Sequence, residues 1–514
     1  MKQYTTIESN TNIRCPLTFS SLLFGVILLF ASQSGYAGNA TWNNNPANGD
    51  WNTATNWTPN TVPGGSDIAT FNSSNITDIT ISEDSAIFEI LFNPGASSFT
   101  YTVSHFDGFD FTIVGIVNNS GVIQRFIAEV DAEGNPGFLT FEGNASAGNQ
   151  TLCTARRGTV VGGEGALISF LDFASAGEGE FLIEGAAGSG LPGGRAIFFS
   201  SSTANNATLT SEGGQAAGAP GGLILLQNQS HADCATLVAN GGVNGGGGGE
   251  IQFLGSAAGD KARIEVFGNG FLDVSAHGAV AVGSIEGNGL ILLAARKLTV
   301  GSNGLSTEFS GVMREATGSG GSLAKTGTGT LTLSGASTFT GGATVSLGTL
   351  VVTNTTGSAT GTGSLLLSAG TLGGSGIIAG AVTVGTGSGS GAFLAPAHGG
   401  KKQLTLTIQG SVTFNSDATY TYTFKAKSNR SKIDKVVANG VTINSGAMIN
   451  LSGTTQGPLT QGTILTLIKN TAATPISGTF SNLPDGGIVN VNGNNLQADY
   501  RGGDGNDLTL TVVP

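Results

Sequence analysis

The amino-acid sequence predicts an all-β protein, built as a right-handed parallel β-helix or β-solenoid with a β-module at each end. Two observations predict this class. Segments of 27 to 29 residues repeat from Phe138 onwards, and glycine supplies 84 of 514 residues while hydrophobic residues still reach 39%. Abundant glycine indicates many tight turns, and hydrophobic residues in short alternating runs are typical of half-buried strands. The chain is therefore too apolar to be disordered, and it offers no long helical segment after residue 37.

Residues 1–37 are expected to form an export signal outside the fold. Lys2 and Arg14 precede an apolar stretch at 17–31, and Gly35-Tyr36-Ala37 supplies the small residues that precede a cleavage site. The alternative is a permanent anchor, but a membrane-spanning helix needs about 20 apolar residues and this stretch is shorter. We expect cleavage after Ala37 and no integral membrane span in the mature chain.

The next region, 38–137, is expected to be a separate β-module, and it contains every tryptophan of the chain: Trp42, Trp51 and Trp57. Exposed aromatic rings can stack on sugar rings, so these three residues are the candidate glycan contacts. The alternative is that they cover the open end of a small β-structure, whose core would otherwise face water.

Residues 138–317 are expected to form the β-helix itself. Five copies of the repeat align on a first apolar anchor, spaced 29, 28, 28 and 27 residues apart: Phe141, Phe170, Phe198, Leu226 and Phe253. A second anchor follows eleven residues later in each copy: Leu152, Phe181, Leu209, Leu237 and Ile264. Copies stacked at the strand spacing of about 4.8 Å would bury these anchors as continuous ladders.

Small residues between the two anchors, Ser146-Ala147-Gly148 and Ser175-Ala176-Gly177, predict a tight bend in each copy. The repeat also places Cys153 and Cys234 three layers apart, about 14 Å at the strand spacing. This exceeds the reach of a disulfide, so both thiols are predicted to be free and buried.

Residues 318–400 contain the clearest motif. Leu331, Leu333, Val345, Leu347 and Leu350 alternate between Gly-Gly and Ser-Gly turns, as half-buried strands do. The stretch resembles the autotransporter-associated β-strand repeat, also called the passenger-associated transport repeat. The matching residues are Lys325, Gly327, Gly329, Thr330, Leu331, Leu333, Ser334, Gly335, Phe339, Gly341, Gly342, Val345, Gly348, Thr349 and Leu350.

Residues 401–514 are expected to form a C-terminal β-module, and they too resemble the ends of such repeat proteins. The resemblance implies a parallel β-helix passenger exposed outside a Gram-negative cell. A self-exporting member would end in an outer-membrane translocator barrel. Here the 110 residues after Leu404 are too few for one, and they lack aromatic bands. The resemblance therefore predicts a passenger without the translocator.

Composition and charge limit the partners. A formal net charge of -12 argues against nucleic acid, because phosphate binding needs a concentrated basic surface. The acids of the repeats do not recur at equivalent positions or pair as a glycosidase requires: Glu142, Asp172, Glu178, Glu180, Glu184, Asp233, Asp260 and Glu265. No catalytic residue is predicted.

No metal or cofactor is predicted either. The four histidines, His105, His231, His277 and His398, are too scattered for a metal motif. Residues 502–510 nearly match a calcium-binding nonapeptide, which would place calcium near Asp504 and Asp507. One copy cannot supply the six or more oxygens that calcium prefers, so a turn joining two final strands is the favoured interpretation.

These observations predict a secreted or cell-surface protein with a structural, adhesin-like role and no catalytic site. The expected partners are extracellular glycans or neighbouring cell surfaces. The alternative is a carbohydrate-active β-helix enzyme, either a polysaccharide lyase or a glycosidase. Fold and family carry this prediction, because no single site does.

Overall fold

The structure, a computed structural model, describes residues 38–103, 110–389, 391–397, 403–427 and 430–514. The expected export signal, 1–37, lies outside the described residues. Within them the chain forms 45 strands and one 3-10 helix, Ala54–Asn56, and contains no α-helix. None of the helical structure in the described part is long and apolar enough to cross a membrane. The predicted all-β parallel β-helix is confirmed.

The strands are numbered in chain order. Those before residue 138 are β1 Ala40–Trp42, β2 Trp57–Thr58, β3 Ile68–Phe71, β4 Asp78–Ile81, β5 Ser85–Ile87, β6 Glu89–Phe92, β7 Thr100–Val103, β8 Asp110–Asn118 and β9 Gln124–Ala128. Those of the repeats are β10 Phe138–Ser146, β11 Asn149–Ala155, β12 Leu167–Phe170, β13 Glu178–Ile183, β14 Arg195–Phe198, β15 Thr208–Ser211, β16 Leu223–Leu226, β17 Thr236–Ala239, β18 Glu250–Phe253, β19 Gly259–Val266, β20 Phe271–Asp273, β21 Ala279–Gly287, β22 Leu290–Leu292, β23 Lys297–Val300, β24 Thr307–Phe309 and β25 Val312–Arg314.

The family-type repeat and its continuation contain β26 Ser322–Lys325, β27 Thr330–Leu333, β28 Ala343–Val345, β29 Thr349–Val352, β30 Leu365–Leu367, β31 Gly370–Gly374, β32 Ile377–Ile378, β33 Val382–Val384 and β34 Ala392–Leu394. The remaining strands are β35 Thr405–Ile408, β36 Val412–Phe414, β37 Ala418–Lys427, β38 Arg430–Ile433, β39 Lys435–Ala438, β40 Val441–Ile443, β41 Met448–Gln456, β42 Ile464–Asn470, β43 Ile488–Val491, β44 Asn494–Gly502 and β45 Asp507–Val513.

Three parallel ladders give the coil its faces. Face A runs through β1, β3, β6, β8, β10, β12, β14, β16, β18, β20, β22 and β25. Face B runs through sixteen strands: β4, β7, β9, β11, β13, β15, β17, β19, β21, β24, β27, β29, β31, β34, β37 and β41. Face C begins as single bridges and continues through β21, β23, β26, β28, β30, β33, β36 and β40.

The predicted first anchors form one inward column of face A. Phe141, Phe170, Phe198, Leu226 and Phe253 pair in register and are fully buried. The ring centroid of Phe170 lies 4.9 Å from that of Phe141 and 4.5 Å from that of Phe198, and the ring planes are nearly parallel. Each coil thus covers the ring of its neighbour, as expected for a solenoid whose single repeat cannot bury its own apolar side.

The second anchors pair in the same way on face B, with one correction. Phe181, Leu209, Leu237 and Ile264 are buried and in register, but their counterpart in the first copy is Cys153 and not Leu152. The register of β11 shifts between Asn149 and Leu152. A shift of one residue exchanges the two faces of a strand, so Leu152 points outward.

The predicted bends are corners that need left-handed backbone. In each repeat two residues five positions apart have positive φ: Gly143 and Gly148, Asp172 and Gly177, Ser200 and Asn205, Asn228 and Asp233, Gly255 and Asp260. Glycine, Asn and Asp tolerate this conformation best. At Gly177 a Cβ would also lie 2.4 Å from the Gly148 carbonyl oxygen of the coil below, so only glycine fits there.

The two cysteines differ from each other. Cys153 is free and buried, as predicted, and burial raises the pKa of its thiol. Cys234 is half-buried, so the prediction that it is buried is wrong for this residue. It lies in a corner of the coil, directly after the left-handed residue Asp233.

The coil shortens after residue 300. Leu331, Leu350, Leu372 and Leu394 occupy successive coils of face B at spacings of 19, 22 and 22 residues. Leu331, Leu333, Val345 and Leu350 are buried as predicted, but Leu347 is 48% exposed because it lies in the turn between β28 and β29. The ladders of faces B and C run on without a break from β24 and β23 into this region.

The C-terminal end closes with antiparallel strands. β42, β45, β44 and β43 pair in that order and antiparallel, while β39 joins them to the coil in parallel. The last strand of face B, β41, receives a side-chain cap on its free edge. The Asn482 amide oxygen accepts from the Ile449 N–H at 2.9 Å and its nitrogen donates to the Ile449 carbonyl at 2.7 Å.

Candidate functional surface

The three tryptophans that were predicted as glycan contacts lie inside the N-terminal end of the core. Trp42, Trp51 and Trp57 are 1%, 0% and 0% exposed. The Trp57 ring centroid lies 5.1 Å from that of Trp42 and 4.8 Å from that of Trp51, edge to face, and Phe71 lies against all three. Because their ring faces are covered by protein, they offer no surface on which a sugar ring could stack.

The geometry of this aromatic cluster agrees with the alternative of an end cap. The Trp57 indole N–H donates to the Trp51 carbonyl at 2.8 Å, which satisfies its one polar group inside the core. Buried Asn56 organises the loop above it: its amide oxygen accepts from Ala47 N–H at 2.8 Å and its nitrogen donates to the Asp50 carbonyl at 2.7 Å. The aromatic cluster therefore covers the N-terminal end of the core.

The acidic tail at 502–510 forms a turn between two strands. β44 and β45 pair antiparallel up to Gly502 and Asp507, so residues 503–506 make the connection. Asp507 is buried, its Oδ1 accepts from the Asn470 N–H at 2.9 Å, and burial raises the pKa of its carboxyl group. Asp504 is exposed. Asp507 thus binds the end of β42, and of the two aspartates considered as alternative calcium ligands only Asp504 is exposed.

One cluster of metal-ligating side chains appears in the described part of the chain, at a corner of the coil. Single ligand atoms of His231, Asp233 and Asp260 all lie within 4.8 Å of one another. The His231 Nδ1 lies 3.1 Å from Asp260 Oδ2, Asp260 Oδ2 accepts from the Asp233 N–H at 3.2 Å, and Thr203 donates to Asp233. The hydrogen bonds within the corner are sufficient to explain these positions.

The expectation that acids do not recur at equivalent positions is wrong for this corner. Asp233 and Asp260 occupy the same left-handed position in the fourth and fifth copies. Asn205 occupies that position in the third copy. The sequence carried the signal, since both aspartates follow a small residue at the same place in the repeat. Of the other histidines, His277 is buried, and His105 and His398 lie outside the described residues.

Other acids of the repeats are held in ion pairs on the outside of face B. Glu184 lies 2.6 Å from the Arg156 guanidinium and 3.0 Å from that of Arg157, which together hold the pKa of its carboxyl group below its usual range although burial opposes them. Arg263 pairs with Glu286 and, at 2.9 Å, with Glu265. These pairs link neighbouring coils and neutralise the carboxylates of Glu184, Glu265 and Glu286.

The outside of face A carries apolar and polar residues in equal number. Nine successive strands, from β8 to β25, each direct two side chains outward, and these form two columns of residues in register. The first column is Asp110, Phe138, Leu167, Arg195, Leu223, Glu250, Phe271, Leu290 and Val312, and the second is Thr112, Thr140, Ser169, Ile197, Leu225, Gln252, Asp273, Leu292 and Arg314. We call these two columns the face A stripe. Thr140, Ser169 and Ile197 of the second column are buried, so the stripe is only partly accessible.

The charges of the stripe are few and differ in their surroundings. Arg195 pairs with Glu164 beside the stripe and also donates to the Gly165 carbonyl at 3.4 Å. Glu250 has no cation against it among the described residues. Burial first, and then the charge of Asp273, raises the pKa of the Glu250 carboxyl group above its usual range. Glu250 is thus a half-buried acid without a counter-charge.

Sequence reasoning missed the stripe because it searched for inward anchors. Outward apolar residues such as Leu167, Leu223 and Leu290 look like ordinary strand residues until the register shows that they share one face. The available signal was that two adjacent residues of a copy, such as Leu223 and Ile224, are both apolar, so that the alternation of a one-sided strand is lost.

Comparisons with known proteins recognise one part of the chain. Residues 323–352 match the model of the passenger-associated-transport-repeat family, which confirms the resemblance over β26 to β29. No curated protein matches the chain. Among solved structures, the Hap adhesin of Haemophilus influenzae aligns with 90% of this chain and 65% of its own length, at 13% identity and a TM-score of 0.27. The fold assignment rests on the ladders themselves.

Proposed function

We propose that this chain is a secreted or surface-displayed, adhesin-like β-solenoid, and that its outer faces bind other surfaces without catalysis. The single observation that carries the proposal is the uninterrupted ladder of face B, whose sixteen strands present repeated outward columns over about 70 Å. Such an array offers many weak contacts along its length, and repeated contacts raise avidity without a deep pocket. The family-type repeat at 323–352 lies within this ladder and supports a passenger role.

The expected ligands are extracellular glycans or the surfaces of neighbouring cells. The acidic chain and the paired charges of face B favour uncharged or polar partners over polyanions. The tryptophans are not proposed as contacts, because they are buried. Polar outward residues of face B, including Thr208, Thr210 and Thr236, are the proposed type of contact surface.

The test uses purified residues 38–514 on immobilised glycans and on bacterial cells, with the products of polysaccharide incubation measured in parallel. We expect retention on a surface without release of reducing ends or of unsaturated sugars. Release of either product would overturn the proposal in favour of a carbohydrate-active enzyme. The Asp233→Asn and Asp260→Asn variants would then show whether that chemistry uses the His231 corner.

A further inference from the structure

We propose that the His231 corner, formed by His231, Asp233 and Asp260, binds one zinc ion that links the fourth and fifth copies of the repeat. His231 and Asp233 belong to the fourth copy and Asp260 belongs to the fifth. One ligand atom of each residue lies within 4.8 Å of the other two. Zinc binding at this corner does not depend on the adhesin-like role of the outer faces.

The stacking of the coils brings the three ligands together. His231 forms a backbone bridge with Thr203 on one side and with Ala258 on the other, at the same corner of three successive coils. The Lys261 N–H donates to the Asp233 carbonyl at 2.8 Å, which ties the fifth copy to the fourth next to the ligands. The solenoid therefore fixes the backbone of the ligands at the strand spacing of about 4.8 Å.

The side-chain distances suit a small ion. The His231 Nδ1 lies 3.1 Å from Asp260 Oδ2. Two ligands of a tetrahedral zinc ion, each about 2.0–2.2 Å from the metal, lie about 3.3 Å apart. The Asp233 carboxylate has to move by at most about 1.5 Å to reach the same separation. His231 is exposed and both aspartates are half-buried, so an ion enters from the solvent and the side chains have room to close around it.

The charge of the corner favours a cation. Its two carboxylates lie side by side, and no described lysine or arginine forms an ion pair with either of them, not even Lys261, the next residue in the chain. Asp233 Oδ1 and Asp260 Oδ1 accept no hydrogen bond from a described residue. Like charges at this distance repel each other, and a divalent cation between them removes the repulsion.

Neighbouring groups orient the ligands before an ion binds. The Thr203 hydroxyl donates to Asp233, and the Asp233 N–H donates to Asp260 Oδ2 at 3.2 Å. The Ser302 hydroxyl donates to the Asp260 carbonyl at 2.5 Å. Hydrogen bonds to ligating carboxylates have this orienting role at metal sites. The corner is therefore organised for a metal in the absence of one.

The ligand atoms select the class of metal. One imidazole nitrogen and two carboxylate oxygens suit zinc, whereas calcium and magnesium prefer oxygen ligands and a larger coordination number. Three protein ligands with water in the fourth position are the arrangement of a zinc site that is open to solvent. Asp260 follows Asp233 by 27 residues, so the sequence shows no metal motif and only the stacking of the coils unites the ligands.

The experiment titrates zinc into residues 38–514 and measures binding by calorimetry. A Cys234→Ser background is used, so that the sulfur next to the corner does not bind the ion. We expect one zinc ion per chain, and weaker binding of calcium and of magnesium. His231→Ala and Asp260→Asn should each weaken zinc binding by roughly tenfold or more.

Asp172→Asn is the matched control. Asp172 is an exposed aspartate with left-handed backbone at another corner of the coil, so its variant loses a carboxylate and should bind zinc like the background chain. Asn tolerates left-handed backbone as Asp does, so Asp260→Asn should unfold at the same temperature as the background chain when zinc is absent.

Hydrogen exchange tests the link between the two copies. Zinc should slow exchange of the Lys261 and Ala232 amides, which donate to the Asp233 and Ala258 carbonyls across the two copies at 2.8 Å each. It should not do so in Asp260→Asn. Absence of stoichiometric zinc binding, an unchanged affinity in both ligand variants, tighter binding of calcium than of zinc, or zinc binding without slower exchange at these two amides would each overturn the proposal.

Discussion

Phe170 lies in the middle of the aromatic column of face A, between the rings of Phe141 and Phe198. Truncation of a fully buried phenylalanine leaves a cavity as well as lost burial, at a cost of about 3–5 kcal/mol. We expect Phe170→Ala to lower the free energy of unfolding by this amount, measured by urea denaturation. Phe173→Ala is the matched control: Phe173 is 67% exposed, and its loss should change stability by less than about 0.5 kcal/mol. Equal effects of the two variants would contradict the column.

Lys325 is the charged residue of the family-type repeat, and it occupies an inward position of face C between Val300 and Val345. It is 2% exposed, and its ammonium group donates to the carbonyl oxygens of Thr326 at 2.6 Å, Gly327 at 2.9 Å and Leu347 at 3.3 Å. These carbonyls belong to the turn before β27 and the turn before β29. Burial lowers the pKa of Lys325 to about 8.

This lowered pKa predicts a pH dependence of stability. Between pH 8 and pH 10.5 the unfolded chain keeps the Lys325 proton that the folded chain has lost, so stability rises with pH across this window. Relative to Lys325→Met, the parent chain should gain about 2–3 kcal/mol as pH rises from 7 to 10.5. Urea denaturation of both chains across this range provides the measurement. A constant difference between them would show that the folded lysine titrates like the unfolded one.

At the scale of the elements, the repeat predicted face A well. Inward anchors such as Phe170 and Phe253 recur at one position of each copy, and burial of one side per strand is a strong pattern. The prediction failed where geometry departs from the period. Because of the register shift in β11, Cys153 lies in the core at the position predicted for Leu152. Leu347 is exposed because it lies in the turn after β28. Neither event changes the spacing of the apolar residues enough to be visible in the sequence.

The candidate sites were harder to predict than the strands. The tryptophans were correctly placed at the N-terminal end, but aromatic side chains suit a sugar site and an end cap equally well. Only burial separates the two. The Asp233 and Asp260 corner and the face A stripe both depend on which residues of successive coils share a column, and that requires the register and not only the period.

The edge of β41 makes a prediction at the same scale. Asn482 satisfies both backbone groups of Ile449 on the free edge of face B. Loss of these two hydrogen bonds in Asn482→Ala should cost about 1–3 kcal/mol. Hydrogen exchange at β41 should also become faster, because an uncapped edge frays. Thr454→Ala, an exposed change on the same strand, is the control and should leave both quantities unchanged.

At the scale of the whole molecule, export is expected to remove the first 37 residues. The mature chain would then begin directly before β1 and the aromatic end cap, and the core would have no need of the leader. N-terminal sequencing of the exported protein should give Gly38 as the first residue. A mature species that retains Met1 would contradict this prediction.

The central claim is that the parallel ladder of face B runs through the molecule, because the proposed binding surface depends on its register. Spin-label pairs on the outside of face B measure this directly. Thr208 is five rungs from Thr330, seven from Thr371 and nine from Thr419. The account predicts distances of about 24, 34 and 43 Å, which increase by the strand spacing for each coil. Distances that do not increase with the number of coils would contradict it.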